Sequence, residues 1–79
     1  MAWIDDVTDH VARSCGIDAQ AIALEPGDAD VLLDVAAVAA HRSGQRTNAP
    51  LLCHVLGRAR AQGVPLDVLE AAVREFTER

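Results

Sequence analysis

The hydrophobic residues of this chain are mostly alanine, leucine, valine and isoleucine, and this composition restricts the fold more than any other feature of the sequence. Hydrophobic residues make up 51% of the chain, yet Trp3 and Phe76 are the only aromatic ones. Alanine and leucine are strong helix formers, and alanine is depleted in β-strands. The composition therefore predicts an all-α fold with a core of aliphatic side chains and closely packed alanine.

The length of 79 residues predicts a single helical domain over residues 1–79. A chain this short buries only roughly 60% of the surface that its unfolded form exposes. We therefore expect one modest core and no deep cavity. This favours a binding or accessory role over an elaborate enzyme pocket, and we expect a protein that is not an enzyme.

The apolar residues recur with the period of 3.6 that is typical of helices. They predict long helices over 3–15, 28–42, 48–62 and 65–79, and a short helical turn over 19–24. Short connections favour a compact antiparallel four-helix arrangement. The residues predicted to face inward are apolar or small, namely Trp3, Ile4, Val7, Val11, Cys15, Ile22, Leu24, Val31, Leu32, Val35, Val38, Ala39, Leu51, Leu52, Val55, Leu56, Ala59, Leu66, Leu69, Val73 and Phe76.

Local sequence features predict where these helices begin and end. Gly16 favours a left-handed cap at the end of the first helix. Asp18 is suited to cap the short helical turn, and Asp28 to be the N-cap of the next long helix, because an aspartate oxygen accepts from backbone N–H groups there. Pro50 falls in the first turn of the third long helix, where its missing N–H costs little.

The charges are separated along the chain, which has a net charge of −5. Between His41 and Gln62 there are four arginines and no carboxylate, whereas both flanking parts are acidic. Such segregation makes the centre the best place to look for an anionic partner. All seven basic residues are arginine, which favours planar, bidentate contacts; a GC-rich coding bias would produce the same pattern.

The loop between the second and third long helices is the strongest candidate for an anion site. A helix N-terminus offers unsatisfied N–H groups and a partial positive charge, and arginines beside it strengthen anion binding. The predicted site residues are Arg42, Ser43, Arg46, Thr47 and Asn48. The alternative is a solvated loop whose arginines pair with carboxylates of the same molecule. Arg58 and Arg60 instead suit the C-terminal dipole of their own helix.

Other kinds of chemistry have little support in the sequence. Cys15 and Cys53 lack the Cys-x-x-Cys spacing of a zinc or redox site, and in a reducing compartment they are predicted to be buried small hydrophobic residues rather than a disulfide. No nucleophile stands in a recognisable catalytic context. The net acidity opposes binding to a phosphate backbone. We therefore expect no metal, cofactor, catalytic residue or nucleic-acid partner.

The chain also lacks the features of a secreted or membrane protein. The N-terminal residues include no basic region ahead of an apolar run. The longest apolar stretch, 31–40, is about half of the ~20 residues that a membrane span needs. We expect a cytoplasmic protein with no membrane partner.

Several short motifs together resemble a family of small, uncharacterised actinobacterial helical proteins. They are Trp3-Ile4-Asp5, Gly16-Ile17-Asp18, Leu32-Leu33-Asp34, Ala40-His41, Arg46, Ala49-Pro50-Leu51 and Gly57. Similar domains are found fused to molybdenum-cofactor guanylyltransferases or encoded near genes for that cofactor. The resemblance therefore implies a link to molybdenum-cofactor biosynthesis and supplies no catalytic residues. The chain differs from the family pattern at His54 and in an arginine loop that is one residue longer.

These observations lead to two hypotheses for the function. The first is a non-enzymatic accessory or interaction domain that binds an anionic small molecule or an acidic protein surface through the predicted anion site. The second is a structural homodimer without a ligand, in which the basic centre of one copy docks on the acidic helices of the other.

Overall fold

The computed structural model describes residues 2–78, and its fold is all-α as the sequence predicts. Arg79, expected in the last helix, lies outside the described residues. The helices are α1 (Ala2–Cys15), α2 (Ala19–Ile22), α3 (Asp28–Ser43), α4 (Asn48–Ala61) and α5 (Leu66–Thr77). The predicted combination of four long helices and one short helical turn is thus confirmed, with α2 two residues shorter than expected.

The turn between α1 and α2 is built by the residues predicted for it. Gly16 adopts a left-handed φ of 69°, and the Ile17 N–H donates to the Ala12 carbonyl at 2.9 Å. This hydrogen bond connects residues five positions apart, as in a Schellman cap. The Asp18 carboxylate then accepts from the Gln20 N–H at 3.0 Å and caps α2.

Helices α3, α4 and α5 pack against one another in alternating directions. Arg60 at the end of α4 contacts Asp28 at the start of α3, so these two helices run antiparallel. Arg42 at the end of α3 donates to the carbonyl of Thr77 at the end of α5, so the C-terminal ends of α3 and α5 meet. The short loops over 44–47 and 62–65 allow this up-down-up arrangement.

The best-buried apolar residues of this three-helix unit come from all three helices. They are Val35 and Ala39 on α3, Leu56 on α4 and Leu66 on α5. Val35, only 1% exposed, is the most enclosed. The inward predictions for these four residues are therefore confirmed.

Helix α1 lies apart from this unit. Among residues 2–78, its backbone approaches only α2, and the molecule is elongated, with extents of 42 × 25 × 20 Å. The radius of gyration is 13.5 Å, compared with about 12 Å for a compact globule of this length. The simplest bundle, in which all four long helices share one core, therefore differs from the structure in the position of α1.

Several residues predicted to face inward are exposed because, over the described range, α1 and α2 do not pack against α3, α4 or α5. On α1, α2 and the segment after it, the prediction is wrong for Trp3, Val11, Cys15, Ile22 and Leu24. On α4 and α5 it is wrong for Leu51, Val55 and Phe76. Cys15 and the half-buried Cys53 are both free thiols.

The prediction that Asp28 is the N-cap of α3 is also wrong. Gly27 holds that position, with a left-handed φ of 87°, and Asp28 is the first helical residue. The Asp28 carboxylate accepts from the Glu25 N–H at 2.7 Å rather than from its own helix. Asp28 therefore closes the turn over 25–28 and does not cap the α3 backbone.

Candidate functional site: an apolar groove between α3, α4 and α5

An open groove of about 800 Å³ runs between α4 and α5, with part of α3 at its base. We call it the α3–α5 groove. Its apolar walls come mainly from Leu51, Leu52 and Val55 on α4 and from Leu69, Val73 and Phe76 on α5. The helical period explains this, because Val55 lies three and four positions after Leu52 and Leu51, and the α5 residues are four and three positions apart, so each set shares one face of its helix.

The two edges of the groove carry its most exposed apolar side chains. Leu51 is 63% and Val55 57% exposed on the α4 edge, and Phe76 is 68% exposed on the α5 edge. Contiguous exposed apolar surface between polar borders is typical of a site that binds another molecule. These three residues are the ones on α4 and α5 that the sequence wrongly predicted to face the core.

One end of the groove is polar and includes part of the predicted anion site. Arg42, Ser43 and Asn48 line this end together with Thr77. The Arg42 Nη2 donates to the Thr77 carbonyl at 2.6 Å, which fixes the guanidinium beside the groove. A guanidinium has five N–H donors, so this hydrogen bond leaves others for a bound group.

The remaining residues of the predicted anion site lie outside the groove. Arg46 and Thr47 are exposed in the loop over 44–47 and are not among the lining residues. Within residues 2–78, Arg46 forms no ion pair. The structure therefore brings three of the five predicted residues to one end of the groove and leaves two beside it.

The N-terminus of α4 offers fewer free donors than its position suggests. The Asn48 N–H donates to the Gln45 carbonyl and the Ala49 N–H to the Arg46 carbonyl, each at 3.1 Å. Pro50 has no N–H to offer. Because the loop satisfies these first donors itself, anion binding here would depend on the arginine side chains more than on the helix terminus.

Arg60 has a structural role that the sequence pattern did not indicate. Its guanidinium donates to Asp28 at 2.8 Å and to Glu25 at 3.3 Å, and Asp28 is only 6% exposed. The hydrogen bond from Arg60, followed by that from the Glu25 N–H, lowers the pKa of Asp28, and the same contact raises the pKa of Arg60. This network joins the end of α4 to the start of α3.

Arg58 differs from Arg60 in its surroundings. It is exposed and forms no ion pair in the described part of the chain. Its spacing of seven from Leu51 and three from Val55 places it on the same edge of α4, beyond the exposed apolar residues. Since α4 is antiparallel to α3, Arg58 and Arg42 stand toward opposite ends of the groove.

The groove lacks the side chains that most catalytic and metal sites use. None of its lining residues, all within 2–78, is a carboxylate, histidine or cysteine. No group of three or more such residues in that range is arranged to hold a metal ion. The groove can therefore bind apolar surface along its length and accept hydrogen-bond acceptors or anions at Arg42, Ser43 and Asn48.

Comparison of the chain with protein-family models, curated proteins and solved structures finds no match. In the described range 2–78, none of the helices has the length and apolar character needed to cross a membrane.

Proposed function

We propose that this protein is a non-enzymatic interaction domain that binds an acidic amphipathic helix in the α3–α5 groove. The observation that carries the proposal is the exposed apolar surface of Leu51, Val55 and Phe76 along the groove, with Arg42 lining one end. Arg58 does not line the groove, but its spacing places it further along the same edge of α4. Burying this surface against a partner would be favourable by roughly 25 cal/mol for each Å² removed from water.

A helix is the element that fits this groove best. Three packed helices leave open the position that a fourth helix occupies in a four-helix bundle. Helix α4 has 14 residues and α5 has 12, which corresponds to lengths of about 21 and 18 Å. A partner helix of three to four turns would lie along both edges, and its apolar face would contact the walls.

The arginines on the α3 and α4 side of the groove favour an acidic partner. In addition to Arg42 and Arg58, a third arginine, Arg46, lies in the adjacent loop. No carboxylate lines the groove in the described range. Complementary charge gives specificity and faster association more than affinity. Binding of an anionic small molecule at the predicted anion site is a separate prediction from the sequence. The same holds for the molybdenum-cofactor context that the family resemblance implies.

NMR titration with two synthetic peptides tests the proposal. Both peptides are amphipathic helices of three heptads with leucine on one face; the other face is glutamate in one and lysine in the second. We expect the glutamate peptide to shift the amide resonances of 48–56 and 69–77 and to bind more tightly than the lysine peptide, by a margin that shrinks with added salt.

Two variants locate the binding surface. Val55→Glu places a charge on the groove edge and is expected to abolish the shifts. Leu33→Glu is the matched control, because Leu33 is 64% exposed on α3 and does not line the groove. Unchanged resonances with the glutamate peptide, or equal effects of the two variants, would contradict the proposed function.

A further inference from the structure

We propose that the helix bound in the α3–α5 groove is α1 of a second copy of this chain, and that the exchange is reciprocal. Two copies would each insert α1 into the groove of the other and form a two-fold dimer. This inference rests on the proposed function, since it identifies the partner of the same groove.

Helix α1 has an apolar stripe that its own chain leaves exposed at Trp3 and Val11 and half-buried at Val7. Trp3, Val7 and Val11 follow one another at intervals of four, so they lie on one face of the helix. Trp3 is 76% exposed and Val11 is also exposed. Ala12, in contrast, is buried beside the turn that leads into α2. Apolar anchors spaced in this way are typical of helices that bind in grooves.

The charge of α1 is opposite to that of the groove ends. The helix carries Asp5, Asp6 and Asp9 against a single arginine, Arg13. Arg58 and Arg46 have no ion pair within residues 2–78, so they are available to these carboxylates. In the second hypothesis from the sequence, the basic centre of one copy likewise meets acidic helices of another, although the groove adds an apolar contact.

The dimensions of α1 and the groove also agree. Helix α1 has 14 residues, the same number as α4, and both are therefore about 21 Å long. Stable interfaces bury roughly 1,600 Å² in total. A two-fold dimer contains the helix–groove contact twice, so each contact needs to bury only about half of that area.

The position of α1 within its own chain permits the exchange. Because its backbone approaches only α2 in the described residues, insertion into a second copy would not break contacts of α1 with the three-helix unit. The elongated shape, 42 Å in its longest dimension, agrees with an α1 that lies apart from the three-helix unit. The exposed face of α1 and the open groove would then each cover the other.

Sedimentation velocity of the full chain with three variants tests this inference. Trp3→Glu disables the helix and Val55→Glu disables the groove, so each variant alone is expected to lose dimerisation. Mixed in equal amounts, they are expected to form a heterodimer, because the helix of the Val55→Glu chain still fits the groove of the Trp3→Glu chain. With one contact in place of two, this heterodimer should be at least about 100-fold weaker than the wild-type dimer.

Leu33→Glu is the control and should dimerise like the wild type. Circular dichroism of each variant checks that helix content is retained. The mixture is measured at concentrations more than about 100-fold above those at which the wild type dimerises. Failure of the mixture to associate there above the level of either variant would overturn the inference.

The wild type separates the two proposals. A wild-type chain that stays monomeric but binds the glutamate peptide through the groove would overturn the α1 partner and leave the proposed function standing. A monomeric chain that also ignores the peptide would overturn both.

Discussion

At the scale of single residues, the contact between Asp28 and Arg60 is the clearest polar determinant of the fold. Asp28 is almost fully buried, and its carboxylate accepts one hydrogen bond from the Arg60 guanidinium and one from the Glu25 backbone. Removing one partner of a buried ion pair destabilises the fold by more than the intact pair stabilises it, because the remaining charge is left buried and unpaired. The sequence places both residues at helix ends, but only the three-dimensional structure brings those ends together.

The variant Asp28→Asn is expected to lower the free energy of unfolding by about 1–3 kcal/mol, because it weakens a charged hydrogen bond at a buried site. Arg58→Gln is the control, because Arg58 is on the same helix as Arg60 but is exposed and has no ion pair in the described range. It should change the free energy of unfolding by less than about 0.5 kcal/mol. Urea denaturation of dilute protein measures both. Equal effects would contradict the structural role of Asp28.

The same contact predicts how stability depends on pH. Because Arg60 lowers the pKa of folded Asp28, the contribution of this group is fully present above the ordinary aspartate value of about 3.9 and is lost as the pH falls through the folded pKa. The difference in stability between wild type and Asp28→Asn should therefore shrink below about pH 4. A difference that stays constant as the pH falls from about 7 to well below about 4 would contradict this assignment.

At the scale of the helices, most boundaries could be predicted because they depend on local sequence. Gly16 and Asp18 act within a few residues of their own position, and the structure confirms both. The cap of α3 was mispredicted at Asp28 because the choice between Gly27 and Asp28 depends on a distant partner, Arg60. Local rules describe a helix end well only when all the groups that satisfy it are local.

Two glycine substitutions on the same helix pair test this account of the elements. Gly44 ends α3 with a left-handed φ of 76°, so Gly44→Ala should lower stability by about 1–2 kcal/mol. Gly57 lies inside α4 without a positive φ, and an added Cβ would meet no atom within 4 Å. Gly57→Ala should therefore raise stability by about 0.5–1 kcal/mol. Thermal denaturation measures both, and shifts of the same sign would contradict the assigned helix boundaries.

At the scale of the whole molecule, the position of α1 was the feature that the sequence could not predict. The periodicity identifies the apolar face of α1 but not the surface that this face meets. For the same reason, Leu51, Val55 and Phe76 have the pattern of core residues and are nevertheless exposed. The sequence identifies Arg42, Ser43 and Asn48, at the facing ends of α3 and α4, as part of a candidate site. Their connection to an apolar groove depends on how the helices pack and could not be predicted.

The central claim is that these two exposed apolar surfaces, on α1 and along the α3–α5 groove, meet between copies of the chain. An isotope-filtered NOE experiment on an equal mixture of labelled and unlabelled protein tests it most directly. The account predicts intermolecular NOEs from the Trp3 indole to the side chains of Val55 and Phe76. A concentrated sample in which Trp3 has no intermolecular NOE to the groove would contradict it.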